Sequence, residues 1–231
     1  MFYYWWDWTW IILVPAIVLS LIAQARVSAA YNRYSRVATQ GGRTAADVVA
    51  EMFAREGIEN VRIESTRGRM TDHYDPRALA LRLSEGVYHS TSVAALGIAA
   101  HEAGHALQHR DGYAPLMLRS ATVFAVNIGS NLSWPLVILG LIFSFEPLIM
   151  AGIALFSLVV LFSLITLPVE FNASRRALQA LESGGYLAAG ELVGARKVLS
   201  AAALTYVASA LTAILQLVRL LVISGVGRNR D

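Results

Sequence analysis

The stretch His101-Glu102-Ala103-Gly104-His105 decides how the rest of this 231-residue chain is read. On a helix of 3.6 residues per turn, His101 and His105 lie one above the other on one face, so their imidazoles can converge on a single ion. Glu102 then stands beside that ion without being needed as a ligand. It is placed to take a proton from a water whose pKa a bound Zn2+ lowers towards about 7. A pattern with three fixed positions recurs by chance in many helices, so its surroundings matter. All five histidines, His73, His89, His101, His105 and His109, fall in one window, and the small apolar run Ala94 to Ala100 leads into the motif. A buried His-Glu-His group with no ion would be costly to desolvate, which favours a metal.

Such a site needs a third protein ligand, and the local candidate fails on distance. His109 shares the helix face but lies eight residues beyond His101, about 12 Å along the axis, so the two cannot share one ion. The metzincin arrangement, with its third His six residues past the second after a Gly-assisted turn, is absent from His105-Ala-Leu-Gln-His109-Arg-Asp-Gly112. His109 is expected to support the site from the helix end.

The composition, 56% hydrophobic with charge confined to blocks, is that of a multi-span membrane protein. Thr9 to Ala25 is a nearly uncharged run whose start is overlapped by Phe2, Tyr3, Tyr4, Trp5, Trp6, Trp8 and Trp10, an aromatic cluster of the kind found at membrane interfaces. A cleaved signal peptide would end at Ala23-Gln-Ala25. The missing basic segment ahead of the run, Asp7 in its place and Arg26 directly after it favour an uncleaved anchor. Ala121 to Phe145 and Pro147 to Val169 read as a hairpin of two further spans, and Ser200 to Ile223 as a fourth. Asn127 and Asn131, four apart on one helix face, are expected to hydrogen-bond to neighbouring helices.

Between the first two spans lies a stretch with the marks of a small water-exposed domain. Thr44 and Asp47 form a capping box, Val48, Val49, Met52 and Phe53 give an apolar face, and Gly57 stops that helix. Val61 to Glu64 and Leu79 to Leu83 alternate as short strands, and the motif helix is predicted from about Ser92 to Arg110. The expected architecture is therefore mainly α, with about four transmembrane helices and a small α+β domain. Residues 1-25 would be the anchor, 26-118 the domain, and 119-231 the hairpin, the ligand helix described next and the last span.

No basic residue precedes the first span, whereas Arg26, Arg33, Arg36 and Arg43 follow it, which places the domain in the cytoplasm. Two spans separate the motif from Glu170, so both face the same side. Glu170 begins the polar part of Pro168-Val-Glu-Phe-Asn-Ala-Ser-Arg-Arg-Ala177 directly after the third apolar run, and is the expected third ligand of a His2Glu site with a fourth position open to water. The competing reading is a solvated charge at the membrane interface.

These residues carry a resemblance to a known family. Tyr31-Asn-Arg-Tyr-Ser35, Thr71-Asp-His-Tyr-Asp-Pro76, Arg82-Leu-Ser84, Ala99 to His109, Gly112-Tyr-Ala-Pro-Leu-Met-Leu-Arg119 and Glu170 to Leu178 resemble the YugP-like neutral zinc metallopeptidases over almost the whole chain. The resemblance implies a zincin-like domain, a membrane zinc protease, His101 and His105 as ligands and Glu102 as base. The layout is also similar to that of the CAAX-processing and HtpX-like membrane gluzincins. Ser174 stands where those families have an Asp that supports a metal-bound His.

The expected activity is hydrolysis of peptide bonds in membrane or membrane-associated proteins at the cytoplasmic face, with one Zn2+ per chain. His73 and Tyr74 are candidates to stabilise the oxyanion, though Asp72, Asp75 and Pro76 also suit a simple turn. Leu79 to Leu83, if it is the edge strand of the cleft, could pair with an extended substrate. The alternative is a membrane scaffold or assembly factor that holds zinc without turnover; a transporter is disfavoured because no pair of broken helices is evident. With eighteen Arg, one Lys and a net charge of +3, the basic residues read as loop and membrane-surface charge, and no nucleic-acid partner is expected. The absence of cysteine excludes thiolate ligands and disulfides.

Overall fold

The computed structural model describes residues 8-68 and 70-225. The aromatic cluster at Phe2 to Trp6, together with Asp7, Arg228 and Arg230, lies outside the described residues. A short 3-10 segment, Trp8–Leu13, leads into α1, Val14–Tyr34. Then come α2 (Ala45–Arg55), β1 (Arg62–Thr66), β2 (His73–Asp75), β3 (Ala80–Ser84), α3 (Glu85–Tyr88) and the motif helix α4 (Val93–Arg110). Three long helices complete the chain: α5 (Ala114–Ile142), α6 (Glu146–Ser183) and α7 (Ala189–Ser224). Among the described residues, the stretch from Trp8 to Tyr34 and helices α5, α6 and α7 are the four segments long and apolar enough to cross a membrane.

Local chemistry sets the helix ends. The Thr44 hydroxyl accepts from the Asp47 amide and the Asp47 carboxylate accepts from the Thr44 amide, so two orphan donors at the start of α2 are satisfied. Ser92 caps α4 by accepting from the Ala95 amide at 3.3 Å, and Gly112, with φ of 60°, turns the chain out of the helix where a Cβ would be strained.

The chain divides into two compact units. One comprises Met1–Ile22, Leu118–Leu167 and Thr205–Asp231, with a core of Val137, Ile149, Ile153, Phe156, Val160, Ala213 and Leu220. In this unit Arg219 of α7 donates from Nε to the Thr9 hydroxyl at 3.0 Å and lies 4.0 Å above the Trp10 ring, which offsets the cost of burying its guanidinium. Asn127 and Asn131 depart from expectation: both are on the exposed side of α5, because Val126, Ser133 and Val137 occupy its buried side.

The other unit comprises Ala23–Met117 and Pro168–Leu204, so the later part of α6 and the first part of α7 share a core with the motif helix. Its three-stranded sheet has the order β1-β3-β2, with β1 parallel and β2 antiparallel to β3. β3 is therefore central and has no free edge; β2, whose Tyr74 amide reaches Glu102 of the motif, arises from the Asp-His-Tyr-Asp block for which a simple turn was the alternative reading. Both features of that block survive. Asp75 closes the strand, and its Oδ1 accepts from the amides of Arg77 and Ala78 in the turn that follows. Leu81 and Leu83 of β3 are fully buried against α2 and α4, each stabilising the unit by roughly 1.5–3 kcal/mol.

Candidate metal centre

Two helices build the centre, and the absence of a side chain on one of them lets them meet. A Cβ on Gly104 would stand 2.5 Å from the Ala173 carbonyl oxygen of α6 and 3.1 Å from its carbon. That close approach puts the α6 face carrying Glu170, Ala173, Ser174 and Ala177 directly against α4. Ala173 and Ala177 are fully buried, and Glu170 is only 2% exposed. His101 and His105 meet edge to face with ring centroids 4.9 Å apart. Glu170 Oε2 lies 3.1 Å from His101 Nε2 and 3.6 Å from His105 Nε2.

Each imidazole is also held from behind. His101 Nδ1 is 3.1 Å from the Ser174 hydroxyl, so the position where similar families carry a carboxylate keeps its contact through a shorter, neutral group. His105 Nδ1 is 3.0 Å from Gln108 Oε1. Gln108, fully buried, donates from Nε2 to the Val169 carbonyl at 2.8 Å and to Asn172 Oδ1 at 3.0 Å. Arg176 donates to the same Asn172 oxygen at 2.8 Å and bonds Asp111, which is also bonded by Arg110; Arg110 in turn bonds Glu56. A continuous polar chain thus links His105 to the surface. Acceptance by Gln108 Oε1 fixes the proton of neutral His105 on Nδ1 and leaves Nε2 free to coordinate.

Glu102 faces β2. Its Oε2 accepts from the Tyr74 amide at 3.1 Å. Burial pushes its carboxyl above the ordinary carboxylate range; His101 and His105 oppose the rise, and Glu170 and Asp72 add to it. Burial works against a charged His105, yet the Glu170 carboxylate beside it and Glu102 nearby hold it above the usual histidine value. Such a pocket attracts positive charge, and a divalent cation can replace that proton.

The residues proposed for the oxyanion are placed differently. The Tyr74 hydroxyl is 2.8 Å from His109 Nδ1, and burial followed by Asp75 raises its pKa. His73 is exposed, with Nδ1 2.7 Å from the Thr71 carbonyl and Nε2 3.5 Å from Arg82. His109 is thus a partner of Tyr74, while the groups brought together as possible ligands are His101, His105 and Glu170, whose donor atoms all lie within 4.8 Å of one another.

The family described as "Putative neutral zinc metallopeptidase" matches residues 9–225. The chain belongs to this zinc metallopeptidase family. It is 44% identical over 218 residues to a protein of Bacillus subtilis (strain 168) named "Putative membrane protease YugP", covering 94% of this chain and 97% of that protein. No solved structure matches. The family's metal fits the residues present. Tetrahedral ligands at about 2.0–2.2 Å from zinc stand roughly 3.3 Å apart, a spacing that the two His–Glu distances of 3.1 and 3.6 Å bracket.

Gly104, Gln108 and Asn172 support the candidate centre without being signalled by the motif alone. Gln108 was within reach of sequence reasoning, since it stands three residues past His105 and seven past His101 on the ligand face. Gly104 and Asn172 depend on where α6 packs, which no local pattern encodes.

Proposed function

We propose that this protein is an integral-membrane zinc endopeptidase that hydrolyses peptide bonds of membrane or membrane-associated proteins at the cytoplasmic face. His101, His105 and Glu170 would hold one Zn2+, which when bound supplies a Lewis acid for the scissile carbonyl and acidifies water. Glu102 is the general base and then returns its proton to the leaving amine. The observation that carries the reading is the convergence of two imidazoles and one buried carboxylate from α4 and α6, with a second carboxylate held beside them by the Tyr74 amide. Burial raises the Glu102 carboxyl above the ordinary carboxylate range, the direction that strengthens it as a base.

Membrane-associated substrates are supported by the four apolar helices and by the relative's name. The cytoplasmic face is supported by the Arg residues that follow the first span. Either oxyanion candidate would have to exchange a partner for the substrate oxygen, the Tyr74 phenol its bond to His109 and His73 its contact with Arg82, while the Tyr74 amide serves Glu102. The test is Glu102→Gln in the full-length protein, assayed on an unfolded membrane-protein substrate. Zinc content should be retained while hydrolysis falls at least ~100-fold, the scale of a lost general base. Turnover at the wild-type rate would end the catalytic reading, and absence of turnover in the wild type on every unfolded substrate would favour the zinc-holding scaffold.

A further inference from the structure

Asn127 and Asn131 are polar side chains on an apolar helix, directed away from the rest of the chain. Among the described residues neither carboxamide has a hydrogen-bond partner; the Ser130 hydroxyl bonds the backbone carbonyl of Asn127 at 3.0 Å, not its side chain. They belong to a longer exposed stripe of α5, formed by Ser120, Phe124, Asn127, Asn131, Trp134 and Ile138. The steps between these residues are four, three, four, three and four, the spacing that keeps one side of a helix turned towards one neighbouring helix. The stripe occupies about 80° of the helix circumference and is opposite the buried side.

We propose that this stripe is the contact between two copies of the chain, with Asn127 and Asn131 hydrogen-bonding to their counterparts in the second copy. Hydrocarbon cannot satisfy a carboxamide, so two such groups facing lipid are a standing cost that a polar neighbour removes. A water-filled groove is a poor alternative, because Phe124, Trp134 and Ile138 on the same stripe are 74%, 36% and 48% exposed. What fits is a helix with polar groups at two depths, one turn or about 6 Å apart. A second copy meets that requirement by symmetry. Two chains inserted with the same orientation are related by an axis along the membrane normal, so each residue of the stripe faces its counterpart at equal depth. A carboxamide is both donor and acceptor, so Asn opposite Asn pairs with itself, and this happens in two successive layers. A substrate helix or an unrelated protein would need matching polar groups at both depths.

The chain has no cysteine, which makes the test direct. Phe124→Cys, Trp134→Cys and, as a control on an exposed face of α6, Leu161→Cys are expressed singly in the full-length protein and oxidised mildly in native membranes. Phe124→Cys and Trp134→Cys should form a disulfide-linked species of twice the monomer mass, and Leu161→Cys should not. Adding Asn127→Leu and Asn131→Leu to the Phe124→Cys chain should reduce that species at least ~5-fold. Asn127→Gln with Asn131→Gln should retain it. The proposal is overturned if the stripe cysteines link no better than Leu161→Cys, if the leucine pair leaves linking unchanged, or if the adduct contains a different protein.

Discussion

The Glu102 carboxylate is held by a backbone amide, and the strand supplying that amide is itself anchored through the Tyr74 side chain to His109, on the same helix as Glu102. Tyr74 therefore runs along the motif helix and fixes β2 at two points seven residues apart. Loss of the phenol leaves the amide in place but frees the strand to shift. Tyr74→Phe and His109→Ala should each lower kcat about 5-fold, the rate equivalent of one neutral hydrogen bond of ~1 kcal/mol, with KM and zinc content unchanged. His109→Gln, which can still meet the hydroxyl, should restore most of the rate. Equal kcat in all of these variants would show that Tyr74 does not position the base. At this scale the sequence was most informative where spacing on one helix suffices: His101, Glu102 and His105 follow from periodicity. The support given to His101 by Ser174 did not follow, because a hydroxyl has no signature of its own and its partner is 73 residues away.

The packing of α4 on α6 is decided by Gly104. Its missing side chain leaves room for the Ala173 carbonyl, a backbone atom that cannot rotate aside. Gly104→Ala should push the helices apart by more than the few tenths of an ångström that packed helices tolerate. The expected result is a loss of about 1–3 kcal/mol in stability and at least ~10-fold weaker zinc binding, measured by thermal melting and competition with a chelator. Ala173→Gly would not rescue it, since the clash is with backbone; unaltered zinc affinity in Gly104→Ala would contradict the packing account. Helices α2 and α4, their caps and the four apolar segments were legible, because capping boxes and long apolar runs are local signals; the short α3 was not. The sheet was less so. β2 has three residues and gains its strand conformation from register with Arg82, Leu81 and Ala80, so its turn-forming aspartates dominate the local pattern. For the same reason the alternation in Leu79 to Leu83 identified a strand but not its central place.

For the molecule as a whole, Glu170 could be found in the sequence only through the even number of spans between it and His105. The structure joins the residues on either side of that hairpin into one unit. Which side of the membrane this unit occupies is a separate matter, argued from Arg26, Arg33, Arg36 and Arg43. Ser65 and Ser183 are both exposed in it. Single cysteines there should resist an impermeant thiol reagent in intact cells and react after permeabilisation. Labelling of either from outside would reverse the orientation while leaving the metal site untouched.

With the third metal ligand supplied by α6, zinc per chain after dialysis should depend on Glu170 and not on its neighbours. Wild type, Glu102→Gln, Glu182→Ala and His109→Ala should each retain about one zinc, whereas Glu170→Ala should fall well below that, having lost one of three protein bonds to the ion. Full zinc in Glu170→Ala, with loss in His109→Ala or in a His73 variant, would contradict the account.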